Sequence, residues 1–198
     1  YVLVREPISL EIVKSLGIRS KKILTSDTSL LLPSVNSEVS NFPKPVMGVC
    51  LGIYSNILSE EEIRQHIRAY AKVIDASIDR YDFFVVFLPH YISGFRYDDT
   101  EISQLIINLM KNKNRVKLLS VHNVDEFKSL LGQMDMVISS KMHPAIFATS
   151  RFVPTLCIAY DQKQLGYFDR LGLEECVLSV QDISYENVSL KIDYVWNK

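Results

Sequence analysis

Short apolar runs of four to eight residues alternate along this chain with longer stretches whose apolar positions recur every three to four residues. The first pattern is that of strands buried on both faces and the second that of amphipathic helices, so their alternation predicts a parallel sheet flanked by helices. An opening unit reads as strand Tyr1–Val4, a helix from Pro7 to Leu16 and strand Lys22–Thr25, with Pro7 suited to a first helical turn and Gly17 to a helix stop. From Val46 the pattern is regular. Strands are expected at Val46–Ile53, Phe83–Leu88, Val116–Val121, Met134–Ser139, Thr155–Ala159 and Cys176–Leu178. Between them fall helices at Ser59–Asp79, opened by a Ser59/Glu62 capping box, and at Thr100–Asn112, Val124–Leu131, Met142–Ser150 and Lys163–Leu171, the last stopped by Gly172. Six strands with right-handed helical crossovers make a doubly wound, Rossmann-like α/β domain.

The segment Pro33–Pro45, rich in Pro, Ser and Asn and without periodicity, divides the chain into residues 1–32, a linker at 33–45 and a main domain at 46–198. Strand-like sequence begins at Tyr1, with neither an initiator Met nor a signal pattern, so residues 1–32 read as the end of a preceding domain. Their apolar faces would then rest on the main domain or on a second copy of the chain, which allows a homo-oligomer.

Composition removes several functions. The 198 residues carry 22 Lys+Arg against 23 Asp+Glu, a balance that gives no basic face for nucleic acid. No apolar run approaches the ~20 residues of a membrane span. Three cysteines, Cys50, Cys157 and Cys176, lie in apolar runs without paired spacing, as expected of buried thiols in a reducing, cytoplasmic setting. GxGxxG and GxxxxGK[ST] are both absent. No tight cluster of His, Cys and carboxylates predicts a metal, and no cofactor is expected.

Open parallel sheets bind ligands beyond the carboxyl ends of their strands. That rule selects Gly52–Asn56, Pro89–Tyr91, Ser139–His143 and Tyr160–Lys163. In Ser139-Ser140-Lys141-Met142-His143 a helix start favours an anion, Lys141 adds a cation, and His143 could give or take a proton. The alternative is that Ser140 only caps the helix while Lys141 and His143 are solvated. His90 with Asp98 and Asp99 could form a metal site, but helix capping by an aspartate is the stronger reading, leaving His90 as a ligand contact. Asp161 reads as another cap, with Tyr160 and Lys163 pointing to the same cleft. His66 is expected on a solvated helix face, and His122 at a helix start.

These residues carry a resemblance. Arg5-Glu6-x-x-Ser9, then Leu16-Gly17-Ile18 and Asp27, form one block; Leu88-Pro89-His90 with Asp98-Asp99 form a second. The third runs Asp135-x-Val137-Ile138-Ser139-Ser140-Lys141-Met142-His143-x-Ala145-Ile146-x-Ala148, followed by Val153-Pro154, Tyr160, Lys163, Phe168 and Leu171-Gly172. In order and spacing the three resemble the polysaccharide pyruvyl transferase family, with Lys141 where Arg is common and Pro144 where a small residue is frequent. The resemblance implies a glycosyltransferase-B-like C-terminal domain and a cleft shared with a first domain. It implies transfer of a pyruvyl group from phosphoenolpyruvate to two hydroxyls of a glycan or lipid-linked sugar, forming a ketal on a surface polysaccharide. His143 would be the general acid, and Arg5, His90, Ser140, Lys141, Tyr160 and Lys163 would bind substrate. A nucleotide-sugar glycosyltransferase of the same architecture and a non-catalytic anion- or glycan-binding module are the alternatives.

Overall fold

The computed structural model describes residues 1–33, 41–54, 56–94 and 97–198; the expected linker falls largely outside them. From residue 46 onward the chain forms six strands, β3 (Val46–Cys50), β4 (Phe84–Phe87), β5 (Val116–Leu118), β6 (Met136–Ser139), β7 (Thr155–Ala159) and β8 (Val177–Ser179). They lie in the order β5-β4-β3-β6-β7-β8, every neighbouring pair parallel. The chain winds outward from β3 in one direction and from β6 in the other, so β3 and β6 flank the point where strand order reverses. Their register sets Cys50 beside Ser139, so both strands end level.

Alternation along β3 explains the two-sided core. Met47 and Val49 pack in one cluster with Ile63, Ile67 and Ile74 of α2 (Glu60–Tyr81), whereas Val46 and Cys50 join a second with Phe127 of α4 (Val124–Leu131) and Phe147 of α5 (Met142–Thr149). The Ser59/Glu62 capping box opens α2 as expected. His66 departs from its solvated assignment: it is 6% exposed, because it lies one turn before Tyr70 on the stripe that faces the sheet. A further helix lies beyond the last expected strand. Helix α7 (Tyr185–Asn197) follows β8 and buries only Val188, Ile192 and Val195, a narrow stripe among Tyr, Asn and Ser residues.

Residues 1–32 form β1 (Val2–Val4), α1 (Pro7–Ser15) and β2 (Lys22–Leu24), with β1 and β2 paired in parallel. Three polar tethers seat this unit on the main sheet's helices. Lys128 of α4, almost fully enclosed, donates to the carbonyl of Leu32 at 2.7 Å. Arg170, at the end of α6 (Gln162–Arg170), donates to the carbonyls of Arg5 and Thr25. Glu6 is wholly buried; its carboxylate caps α1 by accepting from the amides of Ile8 and Ser9 at 2.8 and 2.9 Å, and it rests against Gly166 of α6. Tyr1, Leu3, Leu16 and Leu31 stay exposed.

The Glu6 contact gives a prediction of opposite sign to helix propensity. A Gly→Ala change inside a helix ordinarily adds up to ~1 kcal/mol. At Gly166 a Cβ would overlap the Glu6 carboxylate and stand 2.9 Å from its Cδ. Gly166→Ala should therefore cost ~1–3 kcal/mol as an overpacking change. The check is a lower urea midpoint at unchanged slope; a midpoint at or above that of the parent would mean the contact is not held.

Candidate active site

The loops beyond β3, β4, β6 and β7 converge at the reversal point. Ser140, the first residue past β6, accepts a hydrogen bond from the Gly52 amide at 2.8 Å and donates to the Gly52 carbonyl at 3.2 Å. Its hydroxyl is fully buried and joins two strand ends, and it does not cap α5. Ser139 takes the local turn instead, its hydroxyl accepting from the Lys141 amide at 3.0 Å and donating to the Lys141 carbonyl at 2.8 Å.

Helix α5 therefore starts at Lys141 without a side-chain cap. Pro144 removes one of the first-turn N–H groups, so Met142 and His143 are left to present theirs at the positive end of the helix. His143 is half-buried, with its ring 6.2 Å from that of His90 and tilted from it by 29°. His90 also meets the edge of Phe127 at 5.7 Å. Partial enclosure lowers the proton affinity of His90; Asp99 opposes this, while His143 and Lys141 reinforce it.

Beside His90, Asp98 is a helix cap, as expected. It opens α3 (Asp99–Leu109) by accepting from Thr100 and Glu101, and its other oxygen takes the amides of Ser93 and Gly94. Asp99, 1% exposed, turns back toward the cleft. One oxygen accepts from the amides of His90 and Tyr91 at 3.2 and 2.7 Å; the other lies 2.9 Å from Lys141 Nζ. Lys141, expected as an open cation, is thus paired at its tip.

On the far side, the rings of Tyr54 and Tyr160 stack with centroids 3.6 Å apart. Lys141 lies 5.1 Å from the Tyr54 ring and Lys163 lies 5.0 Å from that of Tyr160. Desolvation disfavours the Lys163 ammonium, but Tyr160 and Asp161 outweigh it and hold the charge more firmly than usual. Asp161 caps α6 as expected. Buried Gln164 binds this loop to the centre, donating to the carbonyls of Ser140 and Ile158 and accepting from the Tyr160 amide. Below His90 lies a pocket of about 150 Å³ bounded by His122, Asn123, Phe127 and Phe147. Asn123 caps α4, and His122 is 3.1 Å from the Ser120 hydroxyl.

The structure brings His90, Ser140, Lys141, His143, Tyr160 and Lys163 together. Arg5 is not joined to them: its guanidinium pairs with Asp27 at 2.6 Å, and among the described residues no hydrogen bond or ion pair links it to the other six. Tyr54 and Gly52 lie in a stretch the sequence selected, but nothing there marked the stacking or the close approach. Gln164 carried no signal at all.

A family model described as polysaccharide pyruvyl transferase matches residues 1–162. The amylovoran biosynthesis protein AmsJ of Erwinia amylovora is 24% identical over 213 residues, covering 98% of this chain and 50% of AmsJ. The chain thus spans about half the length of that curated relative. Among solved structures, E. coli ADP-heptose LPS heptosyltransferase II superposes with a TM-score of 0.55 at 14% identity, over 77% of this chain and 46% of that one. The UDP-GlcNAc 2-epimerase of Neisseria meningitidis gives 0.53 at 15% identity, over 97% and 53%. Both likenesses are of fold, and they support the doubly wound, glycosyltransferase-B-like architecture.

Two histidines of this molecule lie below their ordinary proton affinity: His66, by burial that Glu62 only partly offsets, and His90. For each, the unfolded chain binds more protons than the folded one as pH falls through the unfolded value. Stability should therefore be level above the histidine range and decline as pH drops below ~6.5. Urea melts between pH ~7.5 and ~5.5 should show this slope, and His66→Gln should make it shallower; an unchanged slope in that variant would contradict the assignment.

Proposed function

Because the chain belongs to the polysaccharide pyruvyl transferase family, we propose that it carries the donor site of an enzyme moving a pyruvyl group from phosphoenolpyruvate to a glycan. The observation that carries this reading is the uncapped start of α5, which sets His143 opposite His90 with lysines on the flanking rings. Phosphate and carboxylate need cations and amide donors, and Lys163, the paired Lys141 and the α5 amides supply them. His143 would deliver a proton to the methylene carbon of the enol, making the adjacent carbon electrophilic. One sugar hydroxyl adds there and the bond to the phosphate oxygen breaks; a second hydroxyl then closes the ketal. Of the two hydroxyl protons lost, one balances that placed on carbon and the other leaves with phosphate. No metal or cofactor enters this scheme.

The reading makes residues 46–198 the C-terminal domain and residues 1–32 the end of a preceding one, with the acceptor, a glycan or lipid-linked sugar, entering between domains. Its three free thiols are buried, and burial lifts that of Cys157 to about 12, as suits a reducing cytoplasm. Among the described residues no helix is long and apolar enough to cross a membrane.

The test is phosphate release from phosphoenolpyruvate in the presence of polyol-bearing glycans. His143→Ala should lower turnover ~10²–10⁴-fold while donor binding persists. Unchanged turnover would remove the acid role. Release of nucleoside diphosphate from a nucleotide sugar, with no phosphate from phosphoenolpyruvate, would establish glycosyl transfer instead. Donor binding without release by any acceptor would leave a binding module.

A further inference from the structure

The site holds two facing rings from different segments, and an ion pair joins those segments at a point where no side chain could be added. Lys141 stands two residues before His143 on the α5 turn, and Asp99 holds the loop carrying His90 by accepting its amide and that of Tyr91. The third member is Gly52, from the loop after β3. A Cβ there would overlap Lys141 Cε and Nζ and fall 2.5 Å from Asp99 Oδ1. The Gly52 backbone is itself fixed by Ser140, so the gap it leaves is a permanent part of the site.

We propose that Gly52, Asp99 and Lys141 act as one positioning unit, in which the open space at Gly52 admits an ion pair that holds His90 opposite His143. The proposal rests on the pyruvyl-transfer reading of this same site. Asp99 is not a substrate contact: its side chain is 2% exposed, and an anion facing the phosphate and carboxylate of a donor would repel both. It acts through what it holds. Lys141 lies between the rings of Tyr54 and Tyr91 with its side chain 15% exposed, so the pair is far better shielded than a surface ion pair, and loss of either partner strands a buried charge. Asp99 therefore converts the position of the α5 turn into that of the His90 loop.

Gly52→Ala probes this without removing a charge. The clash falls on side-chain ends, those of Lys141 and Asp99, the backbone at Gly52 is not left-handed, and both Gly52 hydrogen bonds use its main-chain groups, so the variant should fold. Asp99→Asn keeps an acceptor for the two amides and removes the charge that holds Lys141. Each single change should lower kcat on phosphoenolpyruvate ~10–10²-fold, with a smaller effect on KM, as a misplaced reacting group does. The double variant should be no worse than either single one, because both break the same link. Ring NMR signals of His90 and His143 should shift together in Gly52→Ala, a substitution that touches neither ring. Full activity in Gly52→Ala, or a double variant whose loss is the product of the two single losses, would overturn the proposal. If the parent protein turns over no phosphoenolpyruvate, the donor reading fails and the ring signals decide alone: coupled shifts uphold the unit, and unmoved rings reject it.

Discussion

Two neighbouring strands end level and the chain leaves them in opposite directions, and the hydroxyl of Ser140 closes the gap between them. By accepting from and donating to the same residue, Gly52, it makes the ends of β3 and β6 one rigid platform. Everything chemical is hung from that platform. Helix α5 starts one residue later, Tyr54 reaches the Ser140 carbonyl from the β3 side, and Gln164 reaches the same carbonyl from α6. A buried serine with both hydrogen-bonding functions satisfied holds its neighbours more sharply than apolar packing would, because an unmatched amide in that position costs ~1–3 kcal/mol.

The charged residues of the first motif serve the frame. Arg5 and Asp27 close the β1–α1–β2 unit upon itself, and hydrogen bonds from Ser29 and Arg5 keep Asp27 ionised against the burial that opposes its charge. Glu6 caps its own helix and at the same time touches α6. A block of charged residues at the end of a strand thus resolves into two roles, a strap and a seat.

Local signals were legible in sequence and distant ones were not. Strand positions, the Ser59/Glu62 box, and the stops at Gly17 and Gly172, which carry φ of +66° and +67°, all depend on neighbours a few residues away. Strands β3 and β5 proved shorter than their apolar runs, because Leu51–Ile53 and Leu119–Val121 leave the ladder to build the loops of the site. Helix rotation hid His66, whose flanking Glu, Arg and Gln residues suggested water while its own angle pointed inward. The motif residues are legible, but not what they hold: the Asp99–Lys141 pair, the Tyr54–Tyr160 stack and the two hydrogen bonds between Ser140 and Gly52 each join segments far apart in the chain. Pairing across a sheet's end is set by topology, and topology is what a single sequence states least directly.

The seat of Glu6 on Gly166 also defines a lever. Gly166 lies one turn beyond Lys163 in α6, and that helix carries the Tyr160 loop through Gln164. The same nine-residue helix thus touches the N-terminal unit through Gly166 and the stacked tyrosines through Gln164. A substitution at the seat would therefore be felt within a single helical turn of the cleft lysine.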